Sequence, residues 1–392
     1  MEKPVIRISV RNLVEFILRN GDLESGGGVA DKEAMLKGSR LHRKIQKQMG
    51  SHYQAEVSLK KDTEYEDLIL RVEGRADGIF TQDDRVCIDE IKGVYKNPEL
   101  MEEPVSVHRA QALCYAWIYL DAHEMDEIDV QMTYAHLDTE VIRRFRETLT
   151  REELKKWYQE LTDSYHKWLA YQIAWRKKRN QSMQQLEFPF EYRKGQREMV
   201  AGIYHAISRK EQIFIQAPTG VGKTMSAVFP AVRSIGEGKA ETLFYLTART
   251  ITRTVAQDAF EILRQKGLFF KVVTITAKEK LCFCEEPDCD PEKCPYAKGH
   301  YDRINDAVYE LWTTEQSFDR ETILHHAEKW QVCPFEMSLD LAVWMDGVIC
   351  DYNYVFDPNV YLKRFFGENV SGEYLFLIDE AHNLVDRGRE MY

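Results

Sequence analysis

Residues 212–224 run Gln-Ile-Phe-Ile-Gln-Ala-Pro-Thr-Gly-Val-Gly-Lys-Thr. The apolar run Ile213, Phe214, Ile215 predicts a buried parallel strand, and 217–224 predicts a phosphate-binding loop that opens a helix. Gly220 and Gly222 let the backbone turn tightly, so that consecutive N–H groups and the helix N-terminus face phosphates. Thr219 lies in the same loop, Lys223 supplies a point charge for the β- and γ-phosphates, and the Thr224 hydroxyl is suited to Mg²⁺. The first loop position is Ala217 rather than Gly, one departure from the strict signature.

The complement of that loop comes at 375–382, Leu-Phe-Leu-Ile-Asp-Glu-Ala-His. Four apolar residues predict a second buried strand with two carboxylates at its C-terminal end, where open parallel sheets bind ligands. Asp379 is placed to hold Mg²⁺, and Glu380 to orient and deprotonate an attacking water. Together with Lys223 these residues predict an ATP site.

The chain has 392 residues, 44% apolar and 30% charged, enough for two or three packed domains. No apolar run approaches the roughly 20 residues of a membrane span, and the N-terminus carries no signal region. The expected location is cytoplasmic. A net charge of −11 lends no support to nucleic-acid binding as a sum, although local basic patches matter more than totals. Of eight cysteines, six fall between Cys282 and Cys350, a clustering that favours a metal or cluster site over disulfides.

In the N-terminal third a helix is expected over 6–18, and a second, polar helix beginning near Gly38 with Ser39 as its cap. Residues 68–77 and 85–92 predict neighbouring strands. Period-2 alternation puts Glu90 and Lys92 on one face and Asp89 on the other, so that Asp77 can meet Glu90 and Lys92. Two carboxylates suit a divalent cation, and a lysine beside them can position a water, a trio fit for phosphodiester hydrolysis. A solvated strand with a salt bridge is the plain alternative.

The surroundings shift that balance. Gly38 with His42 precedes the acids, and Gln111 with Tyr115 follows the lysine on one helix face. This order resembles the RecB-type branch of the PD-(D/E)XK nucleases, which includes the CRISPR-associated exonucleases, over roughly residues 5–135. The resemblance implies a mixed sheet flanked by helices, with His42, Asp77 and Glu90 holding Mg²⁺ or Mn²⁺ and Lys92 assisting the water. Gln111 and Tyr115 are implied to touch DNA or the lysine. Several relatives hold an iron–sulfur cluster here on four cysteines; only Cys87 and Cys114 occur, so none is expected in this domain. A long amphipathic helix is predicted over 150–175, opened by a Thr150/Glu153 capping box. The basic run 176–179 reads as a solvated terminus. The first domain is placed at 1–180, a linker at 181–192, and the second domain at 193–392.

In that second domain, 188–197 includes Gln196, whose amide suits an adenine edge. Residues 243–250 predict a strand ending near Arg249. Cys282, Cys289, Cys294 and Cys333 are separated by 6, 4 and 38 residues, which fits neither a zinc finger nor a CxxC ribbon. Thiolates suit iron–sulfur clusters or zinc, and Cys284 competes for a ligand position. From residue 188 onward the chain resembles the XPD and DinG family of superfamily 2 DNA helicases. That resemblance implies a RecA-like P-loop lobe with a four-cysteine 4Fe–4S insertion at about 278–340. It also implies a role for Gln196 in reading adenine, for Arg249 in touching the DNA backbone, and for His382 in coupling ATP state to DNA binding. Single-stranded DNA is the implied ligand.

The sequence ends ten residues after His382. A second helicase lobe is therefore implied as missing, and the chain is expected to be a fragment that binds ATP weakly and does not unwind DNA alone. The reading is a DNA-processing, repair-type nuclease joined to a helicase lobe. The alternative is a non-cutting DNA-binding or ATP-switch module whose nuclease fold only grips DNA.

Overall fold

The computed structural model describes residues 3–23, 32–218, 220–248, 250–285, 287–367 and 370–391. The chain divides into two compact α/β units, Met1–Ala170 and Tyr171–Tyr392.

The first unit is built on a six-stranded mixed sheet of β1 (Val5–Ser9), β2 (Gln54–Glu64), β3 (Ile69–Gln82), β4 (Arg85–Val94), β5 (Glu127–His136) and β6 (Ile142–Thr150), in the order β1-β3-β4-β5-β6 with β2 also on β3. Strand β3 pairs antiparallel with β2 over most of its length. Its other edge is shared. β1 runs parallel to residues 69–73, and β4 runs antiparallel to residues 78–82. Residues 74–77 lie between these two ladders, and this split in the sheet opens beside Asp77. Helices α1 (Val10–Ile17), α2 (Lys32–Gln48) and α3 (Ser106–Ala122) belong to this unit, and Leu41 and Ile45 of α2 pack on Ile91 and Ala135.

Two N-terminal expectations differ. Residues 6–18 are not one helix: 5–9 form β1, and Ser9 caps α1 by accepting from the Asn12 N–H at 3.0 Å. The β-branched residues Val5, Ile6 and Ile8 suit a strand as well as an amphipathic turn, and pairing with β3 decides between them. Ser39 lies within α2 rather than capping it.

Helix α4 (Arg151–Gln185) begins with the predicted capping box: the Thr150 N–H donates to Glu153 at 2.9 Å, and the Glu153 N–H to the Thr150 hydroxyl at 3.4 Å. It continues ten residues beyond the predicted end at 175, so the segment expected as linker starts inside a helix. Arg179 is not solvated. It is buried and paired with Asp346 at 2.6 Å, and the Trp175 indole N–H donates to the same carboxylate at 2.8 Å. These partners are 167 and 171 residues away, so local composition could not reveal them.

The second unit carries a five-stranded, all-parallel sheet of β7 (Thr242–Thr247), β8 (Val272–Thr274), β9 (Ser317–Phe318), β10 (Gly347–Asp351) and β11 (Tyr374–Ile378), ordered β11-β7-β10-β8-β9. Helices α5 (Gln196–Arg209), α6 (Lys223–Gly236), α7 (Thr250–Gln265) and the short α8 (Lys278–Leu281) accompany it. The apolar run before the phosphate loop departs from expectation. Residues 213–215 join no strand, and Phe214 is 87% exposed. A strand needs a neighbouring backbone to complete its hydrogen bonds; no ladder includes this run among the described residues.

Candidate functional site

In the first unit, the β3–β4 ladder ends at the pair Gly78–Asp89, and one further step places Asp77 opposite Glu90. There the Asp77 carboxylate accepts from the Ile91 backbone N–H at 2.8 Å, taking the place of the next ladder bond. Its other oxygen lies 3.7 Å from His42 Nδ1. Gln46, one turn along α2 from His42, donates to the Asp77 carbonyl at 3.0 Å and to Glu56 at 3.1 Å. Helix α2 thus holds Asp77 by both backbone and side chain.

Glu90 is 5% exposed. Its Oε1 lies 2.8 Å from the Lys92 ammonium, and its Oε2 is buried with no hydrogen-bond partner among the described residues. Burial pushes its carboxyl up to about 7, with Lys92 opposing and Asp77 reinforcing the shift. Lys92 also donates to Gln111 Oε1 at 2.7 Å. Tyr115, one turn further along α3, is buried against the split in the sheet. A Cβ at Gly74 would stand 2.6 Å from its hydroxyl, so only glycine admits the ring there.

The opposite face of β4 explains why this edge is rigid. Asp89 is fully buried and accepts from Tyr53 at 2.9 Å, Thr133 at 2.6 Å and Gln131 at 3.1 Å. Burial raises its carboxyl despite these three donors. The network anchors β4 from behind. The sequence showed only that Asp89 faces away from Glu90; its partners are set by tertiary packing.

In the second unit, Gly222 (φ 77°) precedes α6, and a Cβ on it would stand 2.5 Å from the Gln196 amide nitrogen. Gln196 is fully engaged: its Nε2 donates to the Val221 carbonyl at 2.7 Å, and its Oε1 accepts from the Arg193 N–H at 2.8 Å. In this conformation the amide ties its own segment to the phosphate loop. Lys223 donates to the Ala217 carbonyl at 3.0 Å and, more weakly, to that of Pro218 at 3.4 Å, and Arg193 donates to the Gly220 carbonyl at 2.6 Å.

Asp379 follows β11, with its N–H donating to the Leu246 carbonyl at 3.0 Å. Burial, then Glu380, raises its carboxyl. Tyr245 on β7 was not singled out from the sequence. Burial, then the Asp379 carboxylate, raises its hydroxyl, with Thr224 opposing, so it neighbours both halves of the candidate nucleotide site. Glu380 has φ 51°, and the Tyr352 hydroxyl donates to the carbonyls of Asp379 and Glu380, the latter at 3.2 Å. His382 sits in the 3₁₀ turn that follows. Thr219 and Arg249 lie outside the described residues.

Cys289, Cys294 and Cys333 are buried, and none of the eight cysteines is in a disulfide. The Cys284 and Cys294 sulfurs are 3.8 Å apart, and burial, then Cys294 and Cys282, raises the Cys284 thiol. Burial raises the Cys333 thiol. Among the described residues no three His, Cys, Asp or Glu side chains converge to hold a metal ion, in either unit. The donors nonetheless suit the groups implied. Glu90 keeps a buried oxygen without a hydrogen-bond partner among the described residues, and cysteine sulfurs are soft ligands.

Residues 193–284 match the DEAD/DEAH box helicase family model, and residues 264–392 match DEAD_2. Together the two matches cover residues 193–392. Over 100 residues, a quarter of its length, the chain is 33% identical to a Fanconi anemia group J protein homolog of Gallus gallus, covering 8% of that protein. Over 243 residues, 51% of its length, it is 22% identical to a regulator of telomere elongation helicase 1 homolog of Caenorhabditis briggsae, covering 24%. The chain thus spans at most about a quarter of these relatives. Among solved structures, a truncated XPD is 19% identical and covers 49% of this chain and 54% of its own, at a TM-score of 0.36. Among the described residues no helix is long and apolar enough to cross a membrane.

Proposed function

We propose that the chain is the nuclease and first-lobe portion of a DNA-processing nuclease–helicase. The observation that carries the nuclease half is the convergence on Lys92. Its ammonium contacts Glu90 at 2.8 Å and Gln111 at 2.7 Å, beside an Asp77 held by His42 and Gln46. In the chemistry this supports, Asp77, Glu90 and His42 hold Mg²⁺ or Mn²⁺. The bound ion supplies charge stabilisation to the phosphodiester and acidifies a water. Lys92 orients that water, Gln111 fixes Lys92, and Tyr115 fills the space at Gly74.

In residues 193–392, Lys223, Thr224, Gly220, Gly222 and Thr219 bind the ATP phosphates and Asp379 the accompanying Mg²⁺, while Glu380 orients the attacking water. Lys223 exchanges its carbonyl partners for phosphate oxygens, and release of Gln196 from the loop frees its amide for adenine. His382 and Arg249 link this site to single-stranded DNA. Cys282, Cys289, Cys294 and Cys333 hold a 4Fe–4S cluster; Cys284, beside Cys294, competes with Cys282 or Cys289 for one position. A second lobe, in the whole protein, completes the ATP site and drives translocation.

A Mn²⁺ titration against end-labelled single-stranded DNA, without ATP, tests the nuclease half. Cleavage that appears with the ion supports it. DNA binding with no cleavage at any Mn²⁺ concentration favours the gripping module instead.

A further inference from the structure

Helix α2 carries more than His42 and Gln46. At 100° per residue its side chains fall into four sectors. Leu41 and Ile45 face the sheet, packed on Ile91 and Ala135. His42 and Gln46 face Asp77. Arg40, Arg43 and Lys47, spaced i, i+3 and i+7, form an exposed stripe adjoining the His42 sector. Lys37 and Lys44 lie beyond it and are neutralised by Asp138, at 3.0 Å, and Glu140.

Lys37 and Lys44 each have a carboxylate. Among the described residues Arg40, Arg43 and Lys47 have none, and the one hydrogen bond recorded for the three is from Arg43 to the Ser39 carbonyl, at 3.1 Å, within the helix. The helix sequence holds six basic residues against one acidic, in a chain whose net charge is −11. An unneutralised stripe on so acidic a chain maintains a local positive potential that the total charge conceals.

We infer that Arg40, Arg43 and Lys47 form a phosphate-backbone track leading a nucleic-acid strand to Asp77 and Glu90. The inference rests on the nuclease reading for its destination, but on charge complementarity for its occupant. From residue 40 to residue 47 the helix rises about 10 Å. Three cations along that length can neutralise roughly three phosphates of one strand. Guanidinium groups suit phosphate oxygens bidentately, and none here is committed to a carboxylate.

The test is the salt dependence of binding, measured on the full chain in EDTA by fluorescence anisotropy with a labelled single-stranded oligonucleotide. With about 0.7 counterions released per contacted phosphate, R40Q/R43Q/K47Q should flatten the slope of log K against log [KCl] by about 2. K37Q/K44Q, which removes two paired cations, should leave the slope at the wild-type value. Unfolding midpoints matching wild type establish that the exposed substitutions preserve the fold. A triple variant with the wild-type slope, or a wild type that does not bind, overturns the inference. Cleavage is scored separately in Mn²⁺. A flattened slope with no cutting by wild type supports the track and overturns the nuclease reading, whereas cutting with an unchanged slope does the reverse.

Discussion

The Lys92 ammonium and the Gln111 side-chain oxygen are 2.7 Å apart, with Gln111 on the helix that follows the strand carrying Lys92. Gln111 is 4% exposed, so the bond forms in a largely dry setting where loss of the acceptor is costly. Gln111→Leu should lower kcat for cleavage by about 10–100-fold, the usual effect of removing a group that orients a reacting one. KM should change little. Single-turnover and steady-state kinetics on the variant separate the two; an equal loss confined to KM would assign Gln111 to DNA binding.

A second prediction concerns the back of β4. A Cβ at Gly78 would overlap the Tyr53 ring, whose hydroxyl donates to buried Asp89. Gly78→Ala must displace that ring and break the bond. It should destabilise the first unit by about 1–3 kcal/mol, the range for overpacking a well-filled site. Urea unfolding followed by near-ultraviolet circular dichroism checks this.

A third prediction sets the second unit apart. Asp346 accepts from the Arg179 guanidinium, the Trp175 indole and the Lys271 backbone N–H, at 2.6, 2.8 and 2.8 Å. Asp346→Ala leaves Arg179 buried without its counter-charge. Breaking such a pair costs about 3–5 kcal/mol. The unfolding transition of the second unit should move accordingly, while metal-dependent cleavage persists under native conditions.

A fourth prediction concerns pH. Burial, then the positive charges of Lys92 and Arg11, depresses the His108 imidazole to about 4, and its Nδ1 lies 3.2 Å from the Tyr134 hydroxyl. Between pH 4 and an ordinary histidine value near 6.5, the unfolded chain binds a proton that the folded one refuses. Stability from this group is therefore complete above about pH 6.5 and lost as pH falls toward 4. NMR titration should find one imidazole titrating near 4, absent in His108→Asn. The variant should also show a shallower fall in stability over that interval.

Much of the candidate chemistry was legible because it depends on short-range periodicity. Alternation along a strand put Glu90 and Lys92 on one face, and helical spacing aligned Gln111 with Tyr115. The loop glycines and the strand ending in Asp379 point to a candidate nucleotide site from residue type and spacing alone. What escaped depends on partners distant in sequence. Residues 213–215 have the composition of a buried strand, yet an apolar run cannot say whether a neighbouring backbone exists to pair with it. Residues 5–9 fit helix and strand alike until β3 is beside them. Arg179 reads as a solvated charge until Asp346 is brought to it. Tyr245, whose hydroxyl neighbours Asp379 and Thr224, looks like any core aromatic in a strand. The capping box at Thr150 was visible because both of its halves lie within four residues.

We propose that Lys92, with Asp77 and Glu90, forms a metal-dependent phosphodiesterase site independent of the ATP site. Cleavage of end-labelled single-stranded DNA in Mn²⁺, without ATP, by wild type, Lys92→Ala and Lys223→Ala tests it most directly. Wild type and Lys223→Ala should cut equally, and Lys92→Ala should lose activity by about 10²–10⁴-fold, as expected for a group acting on the attacking water. Undiminished cutting by Lys92→Ala, or no cutting by wild type while it binds the DNA, would contradict it.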